Sequence, residues 1–168
     1  MPIGVNLLLD SATAAKITSL LPDRQRASYP PHSRLATYGD DLDEMALSAG
    51  LAIITETWSP ICLGLVGYGV FPGDPNILWA LPAPIHALLG RHHMLDAGLL
   101  AVTGRHSFEY GGWLPDIALG ITQFPGDAIE VLASAWRGPI EGTMTEIEVV
   151  RYERHKPVQA LYRRNLEW

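Results

Sequence analysis

Short apolar runs bounded by proline, glycine and polar residues alternate along the chain with longer segments whose apolar residues recur every three or four positions. The short runs are typical of β-strands and the longer segments of amphipathic helices. Strands are predicted at residues 3–9, 32–38, 51–57, 61–71, 76–81, 113–120, 143–152 and 158–166. Helices are predicted from Ser11 to Pro22, at 41–50, at 84–95 and from Asp127 to Gly138. This interleaving predicts an α+β sandwich.

Particular residues within these elements lead to more specific expectations. Ser11 is predicted to be the N-cap of the first helix, because its hydroxyl can accept a hydrogen bond from a free helical N–H. Ser59-Pro60 predicts the turn of a hairpin between the third and fourth strands. Gly64, Gly67 and Gly69 lie inside the fourth strand, and no capped helix follows them. They therefore predict a bulge or a close backbone approach and not a dinucleotide-binding loop.

Two segments of the chain are similar to each other. Pro31-His32-Ser33-Arg34-Leu35 aligns with Pro115-Asp116-Ile117-Ala118-Leu119, and the offset of 84 residues is half of the 168-residue chain. A predicted helix follows each segment at the same distance, near 41 and near 125. This placement predicts an internal duplication, with two lobes related by a pseudo-twofold axis in a single domain, 1–168.

Composition excludes several classes of function. The formal net charge of −6 argues against an extended nucleic-acid surface, which needs clustered Lys and Arg. Cys62 is the only cysteine, so an internal disulfide and a cysteine-rich metal site are excluded. The apolar run at 3–9 is too short for a signal peptide or a membrane span. We therefore expect a cytoplasmic protein with no membrane partner, no metal and no cofactor.

The duplicated segments resemble the signature of the two-histidine phosphoesterase superfamily, which includes 2′-5′ RNA ligase-like and cyclic phosphodiesterase-like proteins. That signature is two copies of His-x-Thr/Ser, and the layout around 64–72, 76–80 and 143–152 is also similar. The resemblance implies two antiparallel sheets with flanking helices around a central cleft. It also implies hydrolysis of a phosphodiester, with the two histidines as general base and general acid and the hydroxyls on the phosphate.

The chain departs from that signature at three of its four positions. His32 is present, but Arg34 stands at the first hydroxyl, Asp116 at the second histidine and Ala118 at the second hydroxyl. Arginine can bind phosphate with two parallel hydrogen bonds, whereas an aspartate repels it and is a poor general acid at its ordinary pKa. Because residues i and i+2 share one face of a strand, we predict that Arg34 and Asp116 form an ion pair across the cleft, beside His32.

Three functions remain open on these residues. The first is a degenerate relative whose cleft binds a small phosphorylated ligand or nucleotide through Arg34, with Trp113 as a further ligand contact. The second is an active 2′,3′-cyclic phosphodiesterase or 2′-5′ RNA ligase-like hydrolase, with His32 as acid and Asp116 as base. The third is a structural or interaction protein whose cleft is closed by the ion pair. Trp113 and Trp79 could stack a base, although tryptophans in a domain of this size are more often core residues.

Overall fold

The computed structural model describes residues 1–23, 29–107, 113–153 and 156–168. They form an α+β fold, as predicted, in which antiparallel strands and helices alternate. The strands are β1 (Ile3–Leu9), β2 (His32–Tyr38), β3 (Ile61–Phe71), β4 (Asn76–Ala83), β5 (Ile117–Thr122), β6 (Ile140–Glu153) and β7 (Lys156–Asn165). The helices are α1 (Ser11–Leu20), α2 (Glu44–Ile54), α3 (His86–Thr103) and α4 (Pro125–Ala135).

The strand pairing repeats between the two halves of the chain. Each half runs β-α-β-α-β, and β7 follows as an addition. The strand order β1-β2-β5-β4-β3-β6-β7, with a further pairing of β1 to β6, closes the first six strands into a ring. Exchanging β1 for β4, β2 for β5 and β3 for β6 reproduces every pairing in that ring. The topology therefore has the predicted twofold character, with β2 and β5 adjacent at the centre.

The hydrophobic core is built from alternate strand residues and from buried helix faces. Ile3, Val5 and Leu7 of β1 are fully buried on the core side, while Asn6 between them faces the opposite side of the sheet. The helices cover the core side, and α3 adds the buried Leu88, Leu95 and Leu99. No helix in the described ranges is long and apolar enough to cross a membrane. The other face of the sheet is the one that carries the polar residues discussed below.

Several predicted boundaries were wrong. The predicted strand 51–57 is instead the end of α2, at 51–54, and the turn that follows it, because Leu47 and Leu51 are buried at helical spacing and Asp43 accepts hydrogen bonds from the free N–H groups of the first turn. The first helix is capped by Asp10, whose Oδ1 accepts from the Thr13 N–H at 2.8 Å. Ser11 is already helical. A short apolar run does not distinguish strand from helix, and a helix end can use either of two adjacent polar residues.

Candidate functional site

The two halves of the chain meet where β2 pairs with β5. His32 lies opposite Ala118, and continuing this antiparallel register by two residues puts Arg34 opposite Asp116, just before β5 begins. Directly opposed residues, and residues two apart on one strand, share a face of the sheet. The fold thus brings the four positions of the duplicated motif to one patch, which we call the central patch (His32, Arg34, Asp116 and Ala118).

His32 is buried in a way that keeps its imidazole neutral. Its side chain is 9% exposed, and its ring meets the edge of the Tyr29 ring at 4.8 Å. Burial lowers the pKa of His32 to about 4, assisted by the positive charge of Arg34 and opposed by the hydrogen bond to Pro30. Nδ1 lies 2.9 Å from the Pro30 carbonyl oxygen, which can only accept, so Nδ1 carries the proton. Nε2 therefore holds a lone pair at neutral pH.

The pKa of Asp116 is shifted in the opposite direction to that of His32. Burial raises its pKa from 3.8 to about 6, although the charge of Arg34 favours the ionised form and opposes this rise. The expectation of an ordinary aspartate pKa was therefore wrong, because it took no account of desolvation at the centre of the fold. A carboxyl group with this pKa carries a proton in mildly acidic solution.

Arg34 does not form the predicted ion pair with Asp116. No nitrogen–oxygen distance between them falls within 4.0 Å in the described residues. The guanidinium lies instead over the Tyr152 ring, 4.1 Å from its centroid, so it is directed across β1 toward β6. Gly4 makes this possible, because a Cβ there would lie 2.5 Å from the Tyr152 ring. The Nε atom of Arg34 is buried without a hydrogen-bond partner among the described residues.

Trp113 contacts the backbone that carries Arg34. Its indole N–H donates to the Arg34 carbonyl oxygen at 2.6 Å, where β2 extends past the start of β5. One face of the indole stacks on His92 of α3 at 4.3 Å. His92 in turn donates from Nδ1 to the Leu35 carbonyl oxygen at 2.7 Å. Two side chains thus satisfy consecutive carbonyls of β2 and fix the strand at Arg34.

A polar arm extends from the central patch over β1, β6 and β7. Asn6 lies opposite both Arg34 and Glu148, and Glu148 lies opposite Arg163, so these four residues form one transverse row. Glu148 is only 1% exposed and is held by Arg163 and by the Tyr29 hydroxyl. The Asn6 amide donates to the hydroxyls of Tyr29 at 3.0 Å and Tyr152 at 2.6 Å. We call this row and its two tyrosines the polar arm.

An apolar arm extends in the other direction, over β4 and β3. Ala118 lies opposite Trp79, and Trp79 lies opposite Gly69. The indole of Trp79 lies over Gly69, where a Cβ would stand 2.8 Å from the ring, and it stacks on Phe71 at 5.0 Å. Leu81 and Gly67, the next opposed pair, complete this arm. The close approach predicted for the strand glycines is confirmed at Gly69, and a bulge at Val66 separates Leu65 from Gly67.

No protein-family model and no curated protein matches the chain. Solved structures do. TT0787 of Thermus thermophilus is 21% identical with a TM-score of 0.69, and the match covers 99% of this chain and 98% of that one. Apo LigT of E. coli is 16% identical with a TM-score of 0.64, covering 99% and 98% of the two chains. LigT complexed with 3′-AMP is 16% identical with a TM-score of 0.62, covering 99% of each chain.

The chain has the α+β fold of TT0787 and LigT. The central patch is formed by the two segments that resemble the two-histidine signature. It contains one histidine, one arginine, one aspartate and one alanine. No group of three or more His, Cys, Asp or Glu side chains placed to hold a metal ion occurs in the part of the chain that the structure describes.

Sequence reasoning missed most of the polar arm. Glu148 was visible only as one member of an alternating strand, a pattern that predicts a solvent-exposed carboxylate. Asn6 lies in the middle of an apolar strand, and this interruption was the one signal that could have marked it. Arg163 is 15 residues from Glu148, and Tyr29 is 119 residues from it, so only the topology brings them together.

Proposed function

We propose that this protein binds a small phosphorylated ligand of the nucleotide class at the central patch, with the phosphate on Arg34 and beside His32. The observation that carries the proposal is the Arg34 guanidinium: it lies over the Tyr152 ring, and no carboxylate oxygen of the described residues lies within 4.0 Å of it. A fixed, unpaired guanidinium presents two parallel N–H groups to phosphate oxygens. LigT, which shares the fold, has been crystallised with 3′-AMP, with phosphate and with ATP.

Binding of 3′-AMP to the wild-type protein and to Arg34→Met, measured by calorimetric titration, tests this proposal. Loss of a charge-assisted bidentate contact should weaken binding by roughly ten- to a hundredfold. Arg105→Met is the matched control, since Arg105 lies on the surface in an exposed ion pair with Asp41. Equal affinity of the wild-type and Arg34→Met proteins, or no binding by either, would contradict the proposal and favour a structural or interaction protein.

The charge of Asp116 gives a second, independent prediction about the same site. Above pH 6 its carboxylate repels an anion, whereas below pH 6 it becomes neutral. A suitable ligand is 2′,3′-cyclic uridine monophosphate, because it keeps a single negative charge between pH 5 and pH 7. Its affinity should therefore rise as the pH falls from 7 to 5, and Asp116→Asn should bind tightly at both pH values. If the Asp116→Asn variant has the same pH dependence of binding as the wild type, Asp116 is not part of the binding site.

The opposed pKa shifts favour one catalytic alternative, in which His32 is the base and Asp116 the acid. This assignment exchanges the roles expected from the sequence. Nε2 of His32 would take a proton from water, a bond would form between that oxygen and phosphorus, and Asp116 would protonate the departing ester oxygen. The two groups are in the required states only between about pH 4, the pKa of His32, and about pH 6, the pKa of Asp116.

Hydrolysis of 2′,3′-cyclic uridine monophosphate as a function of pH tests this alternative. The rate of hydrolysis should be maximal near pH 5 and should fall by about tenfold for each pH unit above 6. His32→Ala and Asp116→Asn should each remove on the order of 10²–10⁴ in rate. A protein that binds the compound but shows no hydrolysis at any pH is a degenerate, ligand-binding relative, and the alternative then fails while the binding proposal stands.

A further inference from the structure

Glu148 is a charged side chain in the interior of the polar arm. It is 1% exposed, whereas its ion-pair partner Arg163 is 57% exposed. A buried ion pair is not in itself a source of stability, because desolvation offsets much of the attraction between the charges. The carboxylate has a second described contact, the hydroxyl of Tyr29, which lies just before β2. This second contact links Glu148 to the central patch.

The hydrogen bonds that begin at Glu148 have a fixed direction. A carboxylate only accepts hydrogen bonds, so the Tyr29 hydroxyl donates to Glu148. Burial and this hydrogen bond both raise the pKa of Tyr29, so the proton stays on the phenol. The Tyr29 oxygen therefore accepts from the amide of Asn6, whose Nδ2 lies 3.0 Å away. The same Nδ2 donates to the Tyr152 hydroxyl oxygen at 2.6 Å, so Glu148 determines which way the Asn6 amide is turned.

The two tyrosines in this chain of hydrogen bonds contact the two residues of β2 that form the phosphate site. The Tyr29 ring lies nearly perpendicular to the His32 imidazole, at 78°, with the ring centroids 4.8 Å apart. The Tyr152 ring lies under the Arg34 guanidinium, 4.1 Å from it. Asn6, which is fully buried, joins the two hydroxyls. Breaking one of these hydrogen bonds therefore loosens a ring that contacts the central patch.

We propose that Glu148 is a positioning residue of the phosphate site, which holds the Arg34 guanidinium in place without touching it. It acts through Tyr29 and Asn6, and these fix the Tyr152 ring under the guanidinium. The inference rests on the proposed function, in which Arg34 binds the phosphate. An arginine that already lies on a fixed ring loses less freedom when an anion binds than an arginine that is free in solution.

Positioning and simple electrostatics predict opposite effects of Glu148→Gln on phosphate binding. A carboxylate repels a nearby anion, so an effect of charge alone would make the variant bind phosphate more tightly. If Glu148 positions Arg34, the variant should bind phosphate more weakly. Glu146→Gln is the matched control, because Glu146 lies two residues away on β6 and also contacts Arg163, at 3.2 Å. Among the described residues, Glu146 makes no hydrogen bond to Tyr29.

Nuclear magnetic resonance of the ligand-free protein tests the position of Arg34. The guanidinium lies over the Tyr152 ring, so the ring current should shift the Arg34 Nε–H resonance upfield, and Arg34→Met identifies that resonance by its absence. Glu148→Gln and Tyr29→Phe should both move the resonance toward those of exposed arginines, whereas Glu146→Gln should not. Thermal unfolding first establishes that each variant is folded. An unchanged resonance in Glu148→Gln or in Tyr29→Phe, or an equal change in Glu146→Gln, would overturn the proposal.

Calorimetric titration with inorganic phosphate gives the second readout. Glu148→Gln and Tyr29→Phe should each weaken binding by about two- to tenfold, which is the cost of ordering one long side chain. Glu146→Gln should bind phosphate at least as tightly as the wild type. Tighter binding by Glu148→Gln would show an effect of charge alone and would overturn the proposal. If the wild-type protein binds neither phosphate nor 3′-AMP, the proposed function fails, and the Arg34 resonance alone decides whether Glu148 holds the guanidinium.

Discussion

The polar and apolar arms occupy equivalent positions in the two halves of the fold and have opposite chemistry. Exchanging the halves places Arg34 on Ala118 and Asn6 on Trp79, and it places Glu148 on Gly69. On one side Asn6, Glu148, Arg163 and two tyrosines are joined by hydrogen bonds, and Arg34 lies over one of the tyrosine rings. On the other side the same positions carry an indole over a glycine. Strand pairing fixes which residues are neighbours, and the residue types then decide what the surface can bind.

The largest expected effect is at the junction of the two arms, where His32 and Asp116 have opposite pH linkage. The pKa of Asp116 is raised from 3.8 to about 6, so its contribution to stability is present at low pH and is lost as the pH rises through 6. The pKa of His32 is lowered from 6.5 to about 4, so its contribution is present above 6.5 and is lost as the pH falls through 4. Each shift corresponds to roughly 3 kcal/mol.

Urea unfolding between pH 4 and pH 7 separates these two linkages. In the wild-type protein they should cancel, which leaves the free energy of unfolding nearly flat across the window. Asp116→Asn should be more stable than wild type at pH 7, and its free energy of unfolding should decrease as the pH falls from 7 to 4. The free energy of unfolding of His32→Gln should instead decrease as the pH rises from 4 to 6. Identical slopes in the two variants would show that the two environments do not differ as described.

The next effect concerns the buried charge of the polar arm. Arg163→Met leaves Glu148, which is 1% exposed, with the Tyr29 hydroxyl as its remaining described partner. Since Arg163 itself is 57% exposed, we expect a loss of about 2 kcal/mol in the free energy of unfolding, less than for a fully buried pair.

Arg105→Met is the control for this loss. It breaks an ion pair in which both side chains are 61% exposed, so it should cost well under about 1 kcal/mol. Adding Glu148→Gln to Arg163→Met should recover part of the loss, because no uncompensated charge then remains buried. Equal effects of the two arginine substitutions in a denaturant titration would mean that Glu148 is not the buried centre of the arm.

A smaller effect should separate two glycines of the apolar arm. Gly69→Ala places a methyl group 2.8 Å from the Trp79 ring, so we expect a loss of about 1–2 kcal/mol as the indole shifts. Gly67→Ala meets open space and restricts the unfolded chain, so it should be neutral or stabilising by up to about 1 kcal/mol. Thermal unfolding of the two variants side by side measures the difference, and a reversed order would contradict the position of the indole.

The smallest effect is expected at Trp113. Trp113→Phe keeps a ring against His92 but removes the N–H that donates to the Arg34 carbonyl, which should cost about 1 kcal/mol of stability. Because Arg34 is then less well held, the affinity for inorganic phosphate should also fall by a fewfold. If the affinity falls for 3′-AMP but not for phosphate, Trp113 contacts the ligand, as the sequence suggested, and does not act through Arg34.

The sequence was sufficient for the architecture and for the central patch, because both depend on local patterns and on one repeat. The offset between His32 and Asp116 predicted that β2 and β5 are equivalent, and strand alternation put Arg34 and Ala118 on the same face as these two residues. At 51–57 the local pattern gave a wrong prediction, because a continuous apolar run was interpreted as a strand although α2 continues to Ile54.

The features that the sequence did not predict depend on long-range contacts and on burial. The Arg34–Asp116 pair failed because Tyr152, far along the chain, offers the guanidinium a ring surface across Gly4. The pKa values of His32 and Asp116 depend on desolvation, which no spacing of residues reports. The position of the Trp79 indole over Gly69 depends on strand pairing, and a tryptophan in a strand was more readily interpreted as a core residue.

A crystal structure of the protein with 3′-AMP tests the central claim most directly, since it locates the phosphate in one measurement. The account predicts phosphate density within hydrogen-bonding distance of the Arg34 guanidinium, beside His32. Phosphate density on the polar arm at Arg163 with Arg34 still unoccupied would contradict it.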